Sequence, residues 1–388
     1  MINIIFLGLI SFFADISSEM VYPIIPLYLT SAFGATPALV GIIEGIAEST
    51  ASLLKVFSGY VTDKYKKKKP IAFAGYATGL IYKLALILSS SWVGILTARV
   101  IDRLGKGIRT APRDVMVSES ADKNAMGKSF GIHKALDMAG SALGILASYF
   151  LLRNMTGVAG DYKKIFALSV IPSVAALLMF FFVKEKKEER VVKQREKFWE
   201  SWKLLDGRLK LYLLIVFVFT LGNSSNTFLL LRAKSVGFND TSVILLYFIY
   251  NVTASILAIP FGKISDRIGR KQVLTAGYIL FSVVYFGFGF SQTQWLFVII
   301  FILYGLYTAM TAGVERALIA EIAPANLKGT MLGLHSTIVG IALLPASVIC
   351  GFLWNYFGVT VPFVFGAMLS LAAAAMLLLF FDKHSGKN

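Results

Sequence analysis

The sequence predicts an all-α membrane protein with twelve transmembrane helices in two pseudo-symmetric six-helix bundles. Three observations carry that expectation. Of 388 residues, 56% are hydrophobic and 15% charged, against about 45–50% and 25% in soluble domains, and the mean hydropathy is +0.71. Twelve stretches are apolar over the roughly 20 residues a helix needs to cross a bilayer. The chain also repeats itself at an offset of 202–203 residues. A water-soluble enzyme does not fit this composition. One cysteine, Cys350, excludes an internal disulfide and any cysteine-built metal site. Three histidines (His133, His335, His384) leave little for a histidine-built one, so no metal is expected.

The spans read in order as follows. Span 1 (4–30) is too long, and too poor in preceding basic residues, for a cleaved signal peptide. It carries Asp15 and Glu19, and Pro23 and Pro26 should bend its second half. Span 2 (38–61) carries Glu44, Glu48 and Lys55 at spacings of four and seven, one helix stripe. Span 3 (71–89) holds Lys83. Span 4 (92–112) holds Arg99, Asp102, Arg103 and Lys106. Span 5 (129–152) holds His133, Lys134 and Asp137, and span 6 (165–183) is apolar throughout. The longest polar stretch, 184–210, has ten basic and six acidic residues and divides the chain into 1–183 and 211–388. Val191–Trp202 within it could lie on the membrane surface as an amphipathic helix or serve as a solvated linker. Spans 7 (211–231) and 8 (241–262) offer Asn223, Asn226 and Asn251. Spans 9 (272–290), 10 (295–314), 11 (331–353, with Pro345) and 12 (359–381) complete the second half.

Charge sets the orientation. With the N-terminus inside, the cytoplasmic segments carry 27 basic residues and the outer loops five, the bias expected of cytoplasmic loops. The net charge of +16 is therefore a topology signal that also meets anionic lipid headgroups, and it does not indicate nucleic acid. Both termini are expected in the cytoplasm, in the inner (plasma) membrane.

Two blocks define the repeat. Gly59 to Lys64 recurs as Gly262 to Arg267. Gly127-Lys-Ser-Phe-Gly131-Ile-His133 recurs as Gly329-Thr-Met-Leu-Gly333-Leu-His335, and Glu119 and Glu321 keep that offset. Parallel halves related by an axis along the membrane normal are a transporter design with substrate bound near the midplane. On these residues the chain resembles the major facilitator superfamily. That family's cytoplasmic loop motif is matched by Gly262, Asp266, Arg267, Gly269, Arg270 and Lys271. The first copy keeps Gly59, Asp63, Lys64, Lys67 and Lys68, with Lys66 in place of the second glycine. The resemblance implies that these residues latch the cytoplasmic side. Arg99 matches the arginine of the family's span-4 motif, linked there to proton coupling. The run Asp102-Arg103-x-Gly105-Lys106-Gly107-x-Arg109-x-x-Pro112-Arg113-Asp114 looks like a drug/proton-antiporter-like subgroup of bacterial members. In span 5, Gly131, Gly140 and Gly144 keep the spacing of the family's exporter motif, while Ile145, Ser148 and Tyr149 depart from it.

Ionisable side chains at membrane depth cost about 2.5–3.5 kcal/mol each on insertion scales, so each is a functional candidate. They crowd the first half. The second half has only Arg232 and Glu315 near span ends. Asp15 and Glu19 share one face of span 1, which by resemblance lines the central cavity, and a carboxylate pair in low dielectric suits a proton carrier. The proton-coupling set is therefore Asp15, Glu19, Arg99, Asp102 and Arg103, with the arginines as counter-charges. Glu44, Glu48, Asn223, Asn226 and Asn251 are the substrate-cavity candidates. Gly59, Asp63, Lys64, Gly262, Asp266, Arg267, Gly269 and Arg270 form the cytoplasmic gate. His133 and His335 occupy matching points of the repeat, which favours structural or gating roles.

The expected function is secondary active transport by alternating access: proton-coupled export of a small amphipathic organic compound by a monomer. The energy source is the proton gradient, and no cofactor is expected. Proton-coupled uptake or exchange of a small polar or anionic solute is the alternative, supported by the cations of span 4. A non-transporting membrane sensor is a remote one. No phosphate-binding loop, nucleophile elbow or Ser/His/Asp order supports an enzyme.

Overall fold

The computed structural model describes residues 2–65, 68–121, 126–155, 159–185, 207–323, 328–379 and 381. The side chains of 55–65, 126–131, 159, 320 and 328–330 are outside the described set. Gly59, Asp63, Lys64, Gly131 and the linker from 186 to 206 therefore lie outside it. Among the described residues there is no strand, and eleven spans are long and apolar enough to cross a membrane. The twelfth, span 4, is a 29-residue helix, Trp92–Ser120. Its charges dilute its hydropathy, but Arg99, Asp102, Arg103 and Arg109 are all buried in protein, so the helix persists without presenting them to lipid. It runs past Pro112 to Ser120, eight residues beyond the expected end.

Several spans are interrupted. Span 1 is Ile2–Val21 followed by Ile24–Phe33, broken at Pro23, which lacks the N–H that would continue the ladder. Span 6 is Ala159–Leu168 and Val170–Met179. Span 7 is Gly207–Gly222 and Thr227–Ser235, so Asn223 and Asn226 sit in a gap of irregular backbone. Span 10 is Gln294–Thr311 and Val314–Ile322. Such breaks are tolerated at membrane depth only where protein or a polar cavity satisfies the backbone. Spans 2 (Pro37–Tyr65), 3 (Lys68–Leu88), 5 (Met126–Arg153), 8 (Asp240–Ile268), 9 (Arg270–Phe290), 11 (Lys328–Phe357) and 12 (Thr360–Leu379) are single helices.

The chain forms two compact units. The first comprises Met1–Ala35, Ile46–Val192 and Asn239–Phe248. The second comprises Thr36–Gly45, Lys193–Phe238 and Ile249–Asn388. In the first unit, spans 1 and 5 pack together, as do 3 and 4, 1 and 6, and 3 and 6. The second unit repeats those pairs as 7 and 11, 9 and 10, 7 and 12, and 9 and 12. The repeat in sequence is thus a repeat in packing. Large apolar side chains such as Ile171, Phe181, Ile259 and Phe290 stand exposed, as a hydrocarbon-facing surface requires.

Glycines bring spans 1 and 5 together. A Cβ at Gly140 would collide with the Phe12 carbonyl, and one at Gly144 would come 3.0 Å from Ile16 Cα. Close backbone approach through small residues is a main source of helix association in lipid. Gly140→Val should therefore lower stability by about 1–3 kcal/mol, the cost of overpacking, read as a lower melting temperature of the detergent-purified protein. An unchanged melting temperature would show that this contact is looser than drawn. In the second unit, buried Arg232 donates to the carbonyls of Phe288 (2.7 Å) and Ser291 (2.6 Å). A cation thereby satisfies the otherwise orphaned C-terminal end of span 9.

Candidate functional site

In the first unit, the 3.6-residue period places Arg99 and Arg103 one above the other on span 4. Arg103 Nη2 lies 2.8 Å from Glu48 Oε1, and Arg99 Nη2 lies 3.8 Å from the same oxygen. Arg103 Nη1 is 3.9 Å from Asp102 Oδ2. Both guanidinium groups stand over the Tyr22 ring, at 5.3 and 5.9 Å from its centroid, a favourable placement for a cation on an aromatic face. Tyr22 is 5.7 Å from the Tyr247 ring, and the Tyr247 hydroxyl donates to Glu19 Oε2 at 3.3 Å. Asp15 and Glu19 are half-buried. Lys106 and Arg103 are the cations that act on the Glu19 carboxylate. Asp15 feels Lys106 and Arg109, opposed by Asp137 and Glu19. Lys83, fully buried on span 3, faces Asp102.

The structure thus brings Glu19, Glu48, Arg99, Asp102 and Arg103 into one charged cluster, with Asp15 beside it. Arg103 pairs with Glu48 of span 2 and also acts on the Glu19 carboxylate of span 1. Tyr22 and Tyr247 join the cluster without having been singled out, and Lys106, read from the sequence as a span-4 charge, acts on it too.

Glu44 belongs to the second unit. There Ser225, in the break of span 7, donates its hydroxyl to Glu44 Oε2 at 3.3 Å, and its N–H meets Ser347 Oγ at 3.3 Å. Glu44 and Glu48, four residues apart, therefore serve different neighbours. Asn223 Nδ2 donates to the Tyr307 hydroxyl at 3.0 Å. Asn226 accepts from Tyr304 at 2.8 Å and donates to Tyr250 at 3.4 Å. These tyrosines continue into an aromatic cluster: Phe281 lies 4.8 Å from Tyr307 and 3.9 Å from Tyr285. Asn251 is half-buried on span 8, one residue beyond Tyr250. A legible signal existed for this wall. Tyr304 and Tyr307 are three residues apart, a spacing that shares a helix face.

The loop motif forms a joint within the second unit. Gly269, at φ 103°, is the single residue between spans 8 and 9, a conformation glycine adopts at no steric cost. Arg270 pairs with Glu321 and, at 3.4 Å, with Asp266, and donates to the Ala317 carbonyl at 3.0 Å. Asp266 and Arg267 are exposed and Gly262 is half-buried. The first unit has the equivalent pair Lys68–Glu119, 202 residues earlier at both positions. Among the described residues no group of three or more His, Cys, Asp or Glu side chains is placed to hold a metal ion.

Two packed sets of repeated, partly discontinuous apolar helices, with Arg99, Asp102, Arg103 and Arg109 buried in protein, define a multi-pass membrane protein. The family model for the Major Facilitator Superfamily matches residues 7–231 and 211–388, and the chain belongs to that family, whose members are transporters rather than enzymes. It is 37% identical over 384 residues to an uncharacterized MFS-type transporter of Methanocaldococcus jannaschii, covering 97% of this chain and 94% of that protein. It is 23% identical over 346 residues to the multidrug resistance protein MdtH of Photorhabdus laumondii, covering 87% and 82%. In fold it is similar to the nucleoside transporter NupG (D323A mutant; TM-score 0.83, 13% identity, 97% and 100% covered) and to a D-xylose–proton symporter (TM-score 0.76, 15% identity, 99% and 98% covered).

Proposed function

We propose that the chain exports a small amphipathic organic compound in exchange for protons, by alternating access, as a monomer in the plasma membrane with both termini in the cytoplasm. The proton gradient supplies the energy and no bound cofactor takes part. The observation that carries this reading is the Glu19 carboxylate, half-buried inside a span, bonded to Tyr247 and flanked by the Glu48–Arg103 pair. A carboxylate so placed can exchange its proton with solvent while neighbouring cations respond to its charge. The Asn223, Asn226, Tyr250, Tyr304 and Tyr307 wall combines ring faces with amide and hydroxyl groups, which suits a ligand that is mostly apolar with a few polar atoms. The likeness to MdtH and the Asp102–Asp114 run support placement among the drug/proton antiporters.

The buried cations Lys83, Arg99, Arg103 and Arg109 favour a second reading, coupled uptake or exchange of an anionic solute. Everted membrane vesicles separate the two. With an inside-acid gradient imposed, export predicts accumulation of amphipathic cationic dyes in vesicles containing the protein and none in vesicles lacking it. Accumulation of organic anions in right-side-out vesicles, with no dye transport, would overturn export in favour of uptake.

A further inference from the structure

The repeat places the same device at one end of each unit and completes it differently. Span 3 opens at Lys68 and span 9 at Arg270, 202 residues later. Each of these residues pairs with an equivalent carboxylate, Glu119 or Glu321. The residue that follows ties down the end of the unit's last span: Lys69 donates to the Val183 carbonyl at 2.7 Å, and Lys271 to the Leu378 carbonyl at 3.2 Å. In the first unit an anion completes the group. Glu185, two residues past Val183, accepts from the Lys68 backbone N–H at 2.6 Å. A carboxylate there meets one of the orphaned N–H groups that open span 3 and the positive end of its dipole. In the second unit the residue two past Leu378 is Phe380, which brings no charge. Arg208 of span 7 stands 202 residues after Phe6 of span 1, so the unit without that carboxylate gains a cation.

The second unit has a cavity of about 400 Å³ at this place, lined by Arg208, Arg270, Lys271, Glu321, Leu378 and Phe381 among others. That volume is within the range of small-ligand sites. Three cations face one carboxylate, and the carboxylate already pairs with Arg270. Arg208 lies over the Phe381 ring, 4.5 Å from its centroid. The buried Nε atoms of Arg208 and Arg270 have no hydrogen-bond partner among the described residues. Guanidinium groups match phosphate oxygens in geometry as well as charge. The surroundings select the carrier of the phosphate. The charge bias assigns these helix ends to the cytoplasmic face, at headgroup depth. Leu378 and the adjoining Leu379 are 51% and 61% exposed, so apolar surface borders the cations. An anionic lipid satisfies both features, with its phosphate on the cations and its chains on the leucines. Basic pockets between spans on that face suit such headgroups. A free phosphate uses the cations alone.

We propose that this cavity binds the phosphate of an anionic lipid headgroup, which takes at span 9 the part that Glu185 takes at span 3. Native mass spectrometry of the purified, delipidated full chain titrated with phosphatidylglycerol reads the binding directly. Phosphatidylglycerol should bind more tightly than phosphatidylcholine of the same chain length. Arg208→Gln and Lys271→Gln should each weaken it by about fivefold, the usual effect of one basic residue at a lipid surface. Lys210→Gln removes an exposed cation from the same helix that does not line the cavity, and should leave binding unchanged. Melting temperatures without lipid check folding. Should Lys271→Gln unfold, Arg208→Gln carries the test, because among the described residues it breaks no hydrogen bond. Equal affinity for the two lipids, or an equal loss in Lys210→Gln, would overturn the proposal. So would displacement of the lipid by an equal concentration of inorganic phosphate, which would mark a site for the free anion. Binding seen only in Asp382→Asn would assign the cavity to the chain's own tail and overturn it too. No transported solute enters the measurement, so its failure would leave the transport reading untouched.

Discussion

Glu19→Gln should abolish pH-gradient-driven transport, by about tenfold or more, while leaving the protein folded and able to exchange solute for solute. A tenfold loss corresponds to about 1.4 kcal/mol of coupling, within the usual range for linked sites. Glutamine keeps the length and shape of the side chain and can still accept from the Tyr247 hydroxyl, now 3.3 Å from Glu19 Oε2. What it loses is the exchangeable proton. Solute counterflow, in which unlabelled solute on one side drives labelled solute to accumulate on that side, does not require net proton movement and should survive. Asp15→Asn serves as the companion variant, one turn earlier on the same face. Calorimetric binding in buffers of different ionisation enthalpy gives an independent reading. Proton release on solute binding should vanish in the variant that carries the coupling and persist in the other. If both variants transport and release protons as wild type does, the span-1 carboxylates are structural.

Arg103→Ala should be the most damaging single change in the charged cluster, costing about 3 kcal/mol as the partner of a buried ion pair is removed. Arg103 is 6% exposed at its side chain, and Glu48 26%. Removing the guanidinium leaves the Glu48 carboxylate with Arg99 at 3.8 Å and strips one of the two cations from the Tyr22 ring. Glu48→Gln made in the same chain removes the stranded anion and should restore a substantial part of the stability, a coupling that the double-mutant cycle measures directly. Thermal unfolding of the four proteins in detergent checks this. Strictly additive losses would mean that the 2.8 Å contact contributes nothing.

The fold was legible because its signals are local or periodic. Apolar runs of about 20 residues marked the spans, and the Gly127/Gly329 block and the loop motif marked the repeat. Span 4 shows where hydropathy alone weakens. Its arginines lower the mean, yet they are what packs the helix among its neighbours, so composition understates a span whose charges are buried. Pro23 announced the break in span 1, but nothing of that strength announced the break at Asn223–Asn226. It follows Gly222, and its asparagines are held by Tyr250, Tyr304 and Tyr307 from helices further along the chain. The site was legible in its residue types and not in its pairings. Asp15 and Glu19 could be placed on one face, and so could Glu44 and Glu48. Glu19 meets Tyr247 across 228 residues and Ser225 meets Glu44 across 181, and no spacing rule reaches that far.

The central claim is that solute movement and proton movement are one process. Its direct test uses purified protein in liposomes enclosing a pH-sensitive dye, with no gradient imposed, challenged with amphipathic organic cations and organic anions. Coupled export predicts that a transported cation changes the internal pH in the sense of antiport, and that the Glu19→Gln or Asp15→Asn protein gives no such change. Solute movement at full rate with no change in internal pH, in wild type and in both variants, would contradict it.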